Sequence, residues 1–298
     1  MGTVSRVLIF GIDSFTGKYV KDELQKRGYM VYGTAYPGGS PVGDFIPCDI
    51  TNSLQTEEII ANVEPDYVII LAAITFVPHG QDRSIYDINL FAPLSILRQL
   101  SKLSRKPRRI IIPSTGHIYG NATGGALSET CCANPVSHYA LSKYALEQMC
   151  NAYQENLDIV ILRPFNYTGI GQAGHFLIPK LVESFRNRLP CLELGNLDVY
   201  RDFSDVRDVA RAYSVLLETD DLQHRVYNVC SGEAVCLRQI LDWLRQMADF
   251  SPQVRINPDF VRKNEMRQLY GNNERLLSLG WQRQFCLKDT LRWMLTTC

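Results

Sequence analysis

Tyr139 and Lys143 stand four residues apart in the run Tyr139-Ala140-Leu141-Ser142-Lys143, which places both on one face of a helix. A phenol, with a reference pKa of about 10, is a poor proton carrier at neutral pH. A neighbouring ammonium favours the phenolate and draws that pKa toward the working range, so this pair has the makings of an acid/base catalyst. Taken alone, the spacing equally describes a solvated pair on a helix surface. Upstream, Ser114-Thr115 ends an apolar stretch, where a hydroxyl would stand at the carboxyl edge of a sheet; a turn cap is the competing reading.

A second chemistry is phosphate binding. Gly11-Ile12-Asp13-Ser14-Phe15-Thr16-Gly17 follows the apolar run Val7-Leu8-Ile9-Phe10 and opens a helix. Free backbone N–H groups and the positive end of a helix suit a dinucleotide pyrophosphate there. The spacing is G-x-x-G-x-x-G with Ser14 in the middle glycine's place, which leaves open how closely the backbone approaches the phosphates. Thr34-Ala35-Tyr36-Pro37 holds neither an acid for a ribose 2′-hydroxyl nor a base for a 2′-phosphate, so NAD and NADP both remain candidates. Asp49 is placed to reach the adenine, although a strand-end cap would use it as well.

These residues need a scaffold. Strands are predicted at 7–10, 30–34, just before 49, 67–71, 109–113 and 159–163, with helices at 18–27, 54–63, 85–103 and 137–155. Strands alternating with helices make βαβ units, a parallel sheet and a doubly wound α/β domain of Rossmann type over the first 165 residues. Further on, helices are predicted at 178–187, 206–217, 237–248 and 288–295, and short strands at 192–194 and 226–228. With no linker or repeat, this second region reads as interleaved with the first.

The 298 residues carry 31 basic and 31 acidic side chains, a balance that argues against a nucleic-acid partner. No apolar run approaches the roughly 20 residues of a membrane helix. The start, MGTVSRVLIFG, has no cleavage-site pattern, and the expected location is the cytoplasm. Nine cysteines without a CxxC pair make neither a zinc site nor a disulfide framework, and no metal is expected.

Gly11…Gly17, Leu71-Ala72-Ala73, Asn89, Ser114-Thr115-Gly116-His117-Ile118-Tyr119-Gly120 and Tyr139…Lys143 follow the order seen in the extended short-chain dehydrogenase/reductase family, which the chain resembles over nearly its whole length. Arg163-Pro164-Phe165-Asn166-Tyr167-Thr168-Gly169-Ile170-Gly171-Gln172 resembles the RPFNxxGxGQ segment of GDP-4-dehydro-6-deoxymannose reductases and GDP-mannose 4,6-dehydratases. So do the segments 195–208 and 226–232. The resemblance implies that Tyr139 is the acid/base, that Lys143 holds the nicotinamide ribose and tunes Tyr139, and that Thr115 holds the substrate oxygen. It implies cofactor contacts from Gly11, Ser14, Phe15, Thr16, Gly17, Asp49, Ile50, Leu71, Ala72 and Ala73, with Asn89 as a supporting residue at the start of the helix after the fourth strand. It implies NADP or NAD as cofactor and a division into residues 1–165 with about 203–228 for the dinucleotide, and 166–202 with 229–298 for a nucleotide sugar.

Residue types suit a sugar diphosphate. Arg201 and Arg262 offer planar donor forks for phosphate oxygens, Asn166 an amide donor, and Glu265 an acceptor for a ribose diol. Thr75, His79 and His117 are placed near the sugar, and Phe176 and Ile178 near the base. Dehydratases of this family usually carry acids just after the catalytic Thr; here those places are Gly116 and His117. The expected reaction is therefore NAD(P)H-dependent reduction of a 4-keto-6-deoxy nucleotide sugar. The alternatives are an NDP-sugar 4-epimerase, a 4,6-dehydratase, and a non-enzymatic dinucleotide sensor. Apolar faces on 85–103 and 137–153 imply, through the same resemblance, a homodimer joined by a four-helix bundle.

Overall fold

In the computed structural model, residues 4–38, 45–75, 82–121, 125–260 and 267–297 are described. The chain opens with β1 (Arg6–Phe10), α1 (Phe15–Lys26), β2 (Met30–Ala35), the short β3 (Ile46–Pro47), α2 (Ser53–Val63) and β4 (Tyr67–Ile70). It continues through α3 (Asp82–Tyr86), a π-helical turn (Asp87–Phe91), α4 (Ala92–Lys102), β5 (Arg109–Pro113), a 3-10 turn (Gly116–Tyr119), α5 (His138–Cys150) and β6 (Ile159–Pro164). Then come β7 (Asn166–Thr168), α6 (Leu177–Arg186), β8 (Cys191–Leu194), β9 (Tyr200–Arg201), β10 (Phe203–Asp205) and α7 (Val206–Glu218). The last part holds β11 (Val226–Val229), β12 (Val235–Cys236), α8 (Leu237–Ala248), β13 (Gln253–Ile256), β14 (Gln268–Leu269), α9 (Glu274–Leu277) and α10 (Leu287–Thr296).

Seven parallel strands form the main sheet in the order β11-β6-β5-β4-β1-β2-β3. The apolar runs of these strands divide by the strand period of two. Val7, Ile9, Ile69, Ile111, Val160 and Leu162 face α1 and α7; Leu8, Phe10, Val68, Ile70, Ile110 and Ile112 face α2, α4 and α5. A strand apolar on both faces belongs in a sheet covered on both faces, which is the Rossmann-type, doubly wound arrangement. From β1 the chain winds outward to β3 and then returns to β4 on the other side, so the crevice lies beyond the carboxyl ends of β1 and β4.

A second core gathers α6, α8, α10 and β8 around Leu181, Phe185, Ile240, Leu244 and Leu291. Ile178 is buried in it, which removes this side chain from the expected place against a base. Two helical expectations also change. The predicted helix 85–103 is broken by the π-helical turn, and Asn89 sits inside that turn rather than at a helix start. The helix predicted to reach residue 155 ends at Cys150 and passes into a 3-10 turn, Asn151–Tyr153.

Candidate active site

The phosphate turn joins β1 to α1 at the crevice. Gly11 has φ +84° and lies against the strand-4 loop: a Cβ there would be 2.7 Å from the Ala72 nitrogen. A Cβ on Gly17 would be 2.5 Å from the Ile12 carbonyl oxygen. Both positions are therefore closed to any side chain. Ser14 is the N-cap of α1, and its hydroxyl accepts a hydrogen bond from the Gly17 N–H at 3.0 Å. The residue that departs from the glycine pattern thus satisfies one of the open donors at the helix end. Phe15 stacks on Tyr167 with centroids 5.9 Å apart, and Thr16 Oγ1 is 2.7 Å from the Tyr167 hydroxyl.

Asp49 lines a cavity of about 340 Å³ with Tyr36, Thr51, Ser84, Asp87 and Ile88. One carboxylate oxygen accepts from the Thr51 N–H at 2.9 Å and the Thr51 hydroxyl at 2.7 Å. Ile50 and Leu71 direct their side chains into the two cores. Ala73 and Thr75 follow on the loop after β4, with Thr75 exposed. The glycine cradle, the capped helix end and the cavity beside Asp49 together fit a dinucleotide.

Thr115 N-caps the 3-10 turn, accepting from the His117 N–H at 3.2 Å. Its hydroxyl also hydrogen-bonds Tyr139, so the two expected catalytic oxygens meet at the sheet edge. Ser137 caps α5 through the Ala140 N–H at 3.2 Å. Lys143 is buried one turn further on and donates to the Pro113 carbonyl, at the end of β5, at 3.0 Å. Asn89 is fully buried. It exchanges hydrogen bonds with the Ile74 N–H (2.8 Å) and carbonyl (2.9 Å) and donates to Ser142 Oγ (3.2 Å), tying the strand-4 loop to α5.

The electrostatics correct one expectation. Burial is the largest influence on Tyr139 and pushes its pKa up; Tyr167 adds to this and the Thr115 hydrogen bond opposes it. The downward pull expected from Lys143 does not prevail, and the ammonium is turned to the Pro113 carbonyl. Burial pulls the Lys143 pKa down to about 8, against an upward influence from Glu147. Tyr139 is thus held protonated at neutral pH.

On the opposite wall, Arg201 lies on β9 between β12 and β14 and donates to the Tyr200 carbonyl at 2.8 Å. The adjacent Asp202 is fully buried. Its carboxylate accepts from the Ser231 N–H and hydroxyl, both at 2.7 Å, from Gly232 N–H at 3.0 Å and from Gly271 N–H at 3.3 Å. Burial outweighs these bonds and raises its pKa to about 6. Asn166 places one amide N–H on the Asp202 carbonyl at 3.3 Å, which ties it to the residue next to Arg201. His117 lies on the 3-10 turn, and Phe176 begins α6 against His175. His79, Arg262 and Glu265 lie outside the described residues.

Three residues here carried no expectation from the sequence: Tyr167, Asp202 and the Pro113 carbonyl. Tyr167 and Asp202 belong to motifs that were legible, yet their contacts are made by chain segments far away. Among the described residues no cluster of metal ligands occurs, and all eight cysteines are unpaired.

A Rossmann-type sheet with a glycine cradle, a Thr-Tyr-Lys constellation and a second wall beside it defines a dinucleotide-dependent enzyme. The chain belongs to the NAD dependent epimerase/dehydratase family, whose pattern it matches over residues 7–230. It is 31% identical over 279 residues to a GDP-6-deoxy-D-talose 4-dehydrogenase of Aggregatibacter actinomycetemcomitans, covering 92% of this chain and 90% of that protein. It is 33% identical over 306 residues to a GDP-6-deoxy-D-mannose reductase of Pseudomonas aeruginosa, covering 98% and 96%. The structure of RMD from Pseudomonas aeruginosa complexed with NADPH superposes with a TM-score of 0.85 at 28% identity, covering 98% of this chain and 97% of that one. A Thermus thermophilus UDP-glucose 4-epimerase complexed with NAD gives 0.85 at 26% identity, covering 97% of each chain. The chain is an NAD(P)-dependent enzyme of the oxidoreductase type.

Proposed function

We propose that this enzyme reduces the 4-keto group of a nucleotide-diphosphate 4-keto-6-deoxy sugar, with GDP-4-dehydro-6-deoxymannose as substrate and a GDP-6-deoxyhexose such as GDP-rhamnose as product. The observation that carries this reading is the pairing of the Tyr139 phenol with the Thr115 hydroxyl, with burial keeping the phenol protonated. Two O–H donors meeting at one point can hold a carbonyl oxygen, and a protonated phenol is what a reduction consumes. The names of the two GDP-sugar relatives support the choice of nucleotide and of deoxysugar chemistry.

When bound, the reduced nicotinamide supplies the hydride that adds to C4. Thr115 and Tyr139 polarise the carbonyl by hydrogen bonds, and Tyr139 gives its proton to the oxygen as negative charge develops there. Lys143, fixed by Pro113, holds the ribose beside Tyr139. The α1 turn takes the pyrophosphate, and Arg201 and Asn166 take the diphosphate of the substrate. That two-electron hydride and the Tyr139 proton together would turn the ketone into the alcohol, which balances the reduction.

A 4,6-dehydratase needs a further acid/base pair, and dehydratases of this family usually carry acids on the turn after the residue matching Thr115. The turn reads Gly116-His117-Ile118-Tyr119, and a Cβ at 116 would be 2.9 Å from the Phe165 ring, so no acid fits at 116. Exposed Phe91, Leu141 and Met149, on the π-helical turn and α5, support the reading that two copies pair through these helices. Among the described residues no helix is long and apolar enough to cross a membrane.

The test follows absorbance of NADH and of NADPH, in separate cuvettes, with GDP-4-keto-6-deoxymannose generated in place by a dehydratase. Stoichiometric oxidation above the dehydratase-only control is expected with at least one cofactor. Silence with both, together with interconversion of 4-hydroxy epimers by enzyme carrying bound NAD, would replace this reading by the 4-epimerase.

A further inference from the structure

The mechanism leaves a buried ion pair unused. Glu147 lies on α5 one turn beyond Lys143, so Tyr139, Lys143 and Glu147 form a single stripe at i, i+4 and i+8. Glu147 is 6% exposed and Arg163, on β6, is 7% exposed. Arg163 Nη2 donates to Glu147 Oε2 at 2.7 Å, and Nε lies 3.2 Å from both carboxylate oxygens.

Arg163 reaches the other catalytic element as well. Its Nη1 donates to the Tyr119 hydroxyl at 3.0 Å and to the Glu129 carbonyl at 3.2 Å, and the guanidinium lies 5.3 Å from the Tyr119 ring centroid. Tyr119 in turn donates to Asn228 Oδ1 on β11 at 2.7 Å. Tyr119 ends the 3-10 turn that Thr115 caps, and its ring stacks on Phe165. One guanidinium therefore connects the helix carrying Tyr139 and Lys143 to the turn carrying Thr115.

We propose that Glu147 and Arg163 are a positioning pair: Arg163 fixes Thr115's turn against α5, and Glu147 supplies the buried negative charge that the Lys143 ammonium needs to stay charged. Burying a cation without a counter-charge favours its neutral form. Burial and Glu147 act on Lys143 in opposite directions. Arg163 gives the Glu147 carboxylate a buried counter-charge and three hydrogen bonds, without which a buried acid is costly. The other groups facing this stripe or Arg163 are Tyr119 on the 3-10 turn, Tyr167 on β7, Tyr213 on α7, Cys150 on α5 and Glu129, whose side chain is buried. Burial pushes the three phenols and the thiol toward their neutral forms. The Glu129 carboxylate accepts from the Asn228 N–H at 2.7 Å and lies 3.6 Å from the Arg275 guanidinium, so Glu147 is the acid on the stripe itself.

This inference rests on the reading of Lys143 as the group that holds the cofactor ribose. The experiment is therefore cofactor affinity as a function of pH, read by protein fluorescence quenching with NADH and NADPH; it needs no sugar substrate. Wild type should lose affinity as pH rises through the Lys143 titration, and Lys143→Met should remove that limb. Glu147→Gln should keep the limb but move it down by about one pH unit, a roughly tenfold loss of affinity at a pH between the two. Glu147→Asp should restore most of the shift. The double variant Glu147→Gln/Arg163→Met, which removes both members of that ion pair together, should fold even if the single variant does not, and should show a smaller shift in the same direction. A limb that stays in place in either Gln variant, or an affinity loss equal at every pH, would overturn the proposal. A limb unchanged in Lys143→Met would instead overturn the ribose-holding role on which it rests.

Discussion

α1 and α5 enter the same crevice and contribute opposite parts of themselves. α1 offers its end: backbone N–H groups, a serine cap and two glycines that keep side chains away. α5 offers its face: a stripe of phenol, ammonium and carboxylate, with its end closed by Ser137. Charge at the α1 site is the partial charge of a helix terminus and does not titrate. Charge on α5 is carried by side chains, and that of the buried Lys143 answers both to burial and to Glu147. The difference separates the failures expected from mutation: steric and indifferent to pH at α1, chemical and dependent on pH at α5.

The largest effect should come from α5. Tyr139→Phe removes the proton donor and should lower kcat by about 10²–10⁴-fold while cofactor affinity stays near wild type; a steady-state assay paired with fluorescence titration checks both. The opposite pattern is expected at α1. Gly17→Ala drives a Cβ against the Ile12 carbonyl, 2.5 Å away, and should weaken cofactor binding at every pH and destabilise the fold by about 1–3 kcal/mol, measured by titration and denaturant melts.

A third effect sharpens the contrast without mutation. Lys143 titrates near 8 because burial depresses it, and Tyr139 stays protonated above that pH because burial raises it. Turnover should therefore fall as pH rises through about 8, approaching tenfold per unit, and a pH–rate profile reads this directly. Stability of the protein alone moves the other way. The folded lysine releases its proton at about 8 and an unfolded one at about 10.5, so this group adds stability as pH rises across that window and loses it as pH falls through 8. The smallest effect belongs to Ser14→Ala, which removes the cap from α1 and should cost about 1 kcal/mol in a melt, with Ser14→Gly costing only a few tenths.

Much of the scaffold was readable because β1, β4, β5 and β6 each contain an unbroken apolar run of at least three residues, as a sheet covered on both faces demands. The pairing of Tyr139 with Lys143 was readable because a helix fixes i and i+4 on one face. The π-helical turn was not: hydrophobic spacing over 85–103 fits an unbroken helix, and the break follows from the bonds of Asn89 to Ile74 and Ser142. β9, β12 and β14 are two residues each and exist only through pairing across long stretches of chain. The direction of the Tyr139 shift was misread because a sequence shows the neighbouring lysine but not the burial that raises the phenol. Arg163 was visible inside the RPFN segment, yet its partners come from α5, the 3-10 turn and residue 129.

The most direct measurement is label transfer. Enzyme, GDP-4-keto-6-deoxymannose and reduced cofactor carrying deuterium at both positions on C4 of the nicotinamide are combined, and the isolated sugar nucleotide is examined by mass spectrometry and NMR. The account predicts one deuterium at C4 of a GDP-6-deoxyhexose for each cofactor oxidised, and none of that product from Tyr139→Phe. An unlabelled sugar inverted at C4, with no net oxidation of cofactor, would contradict it.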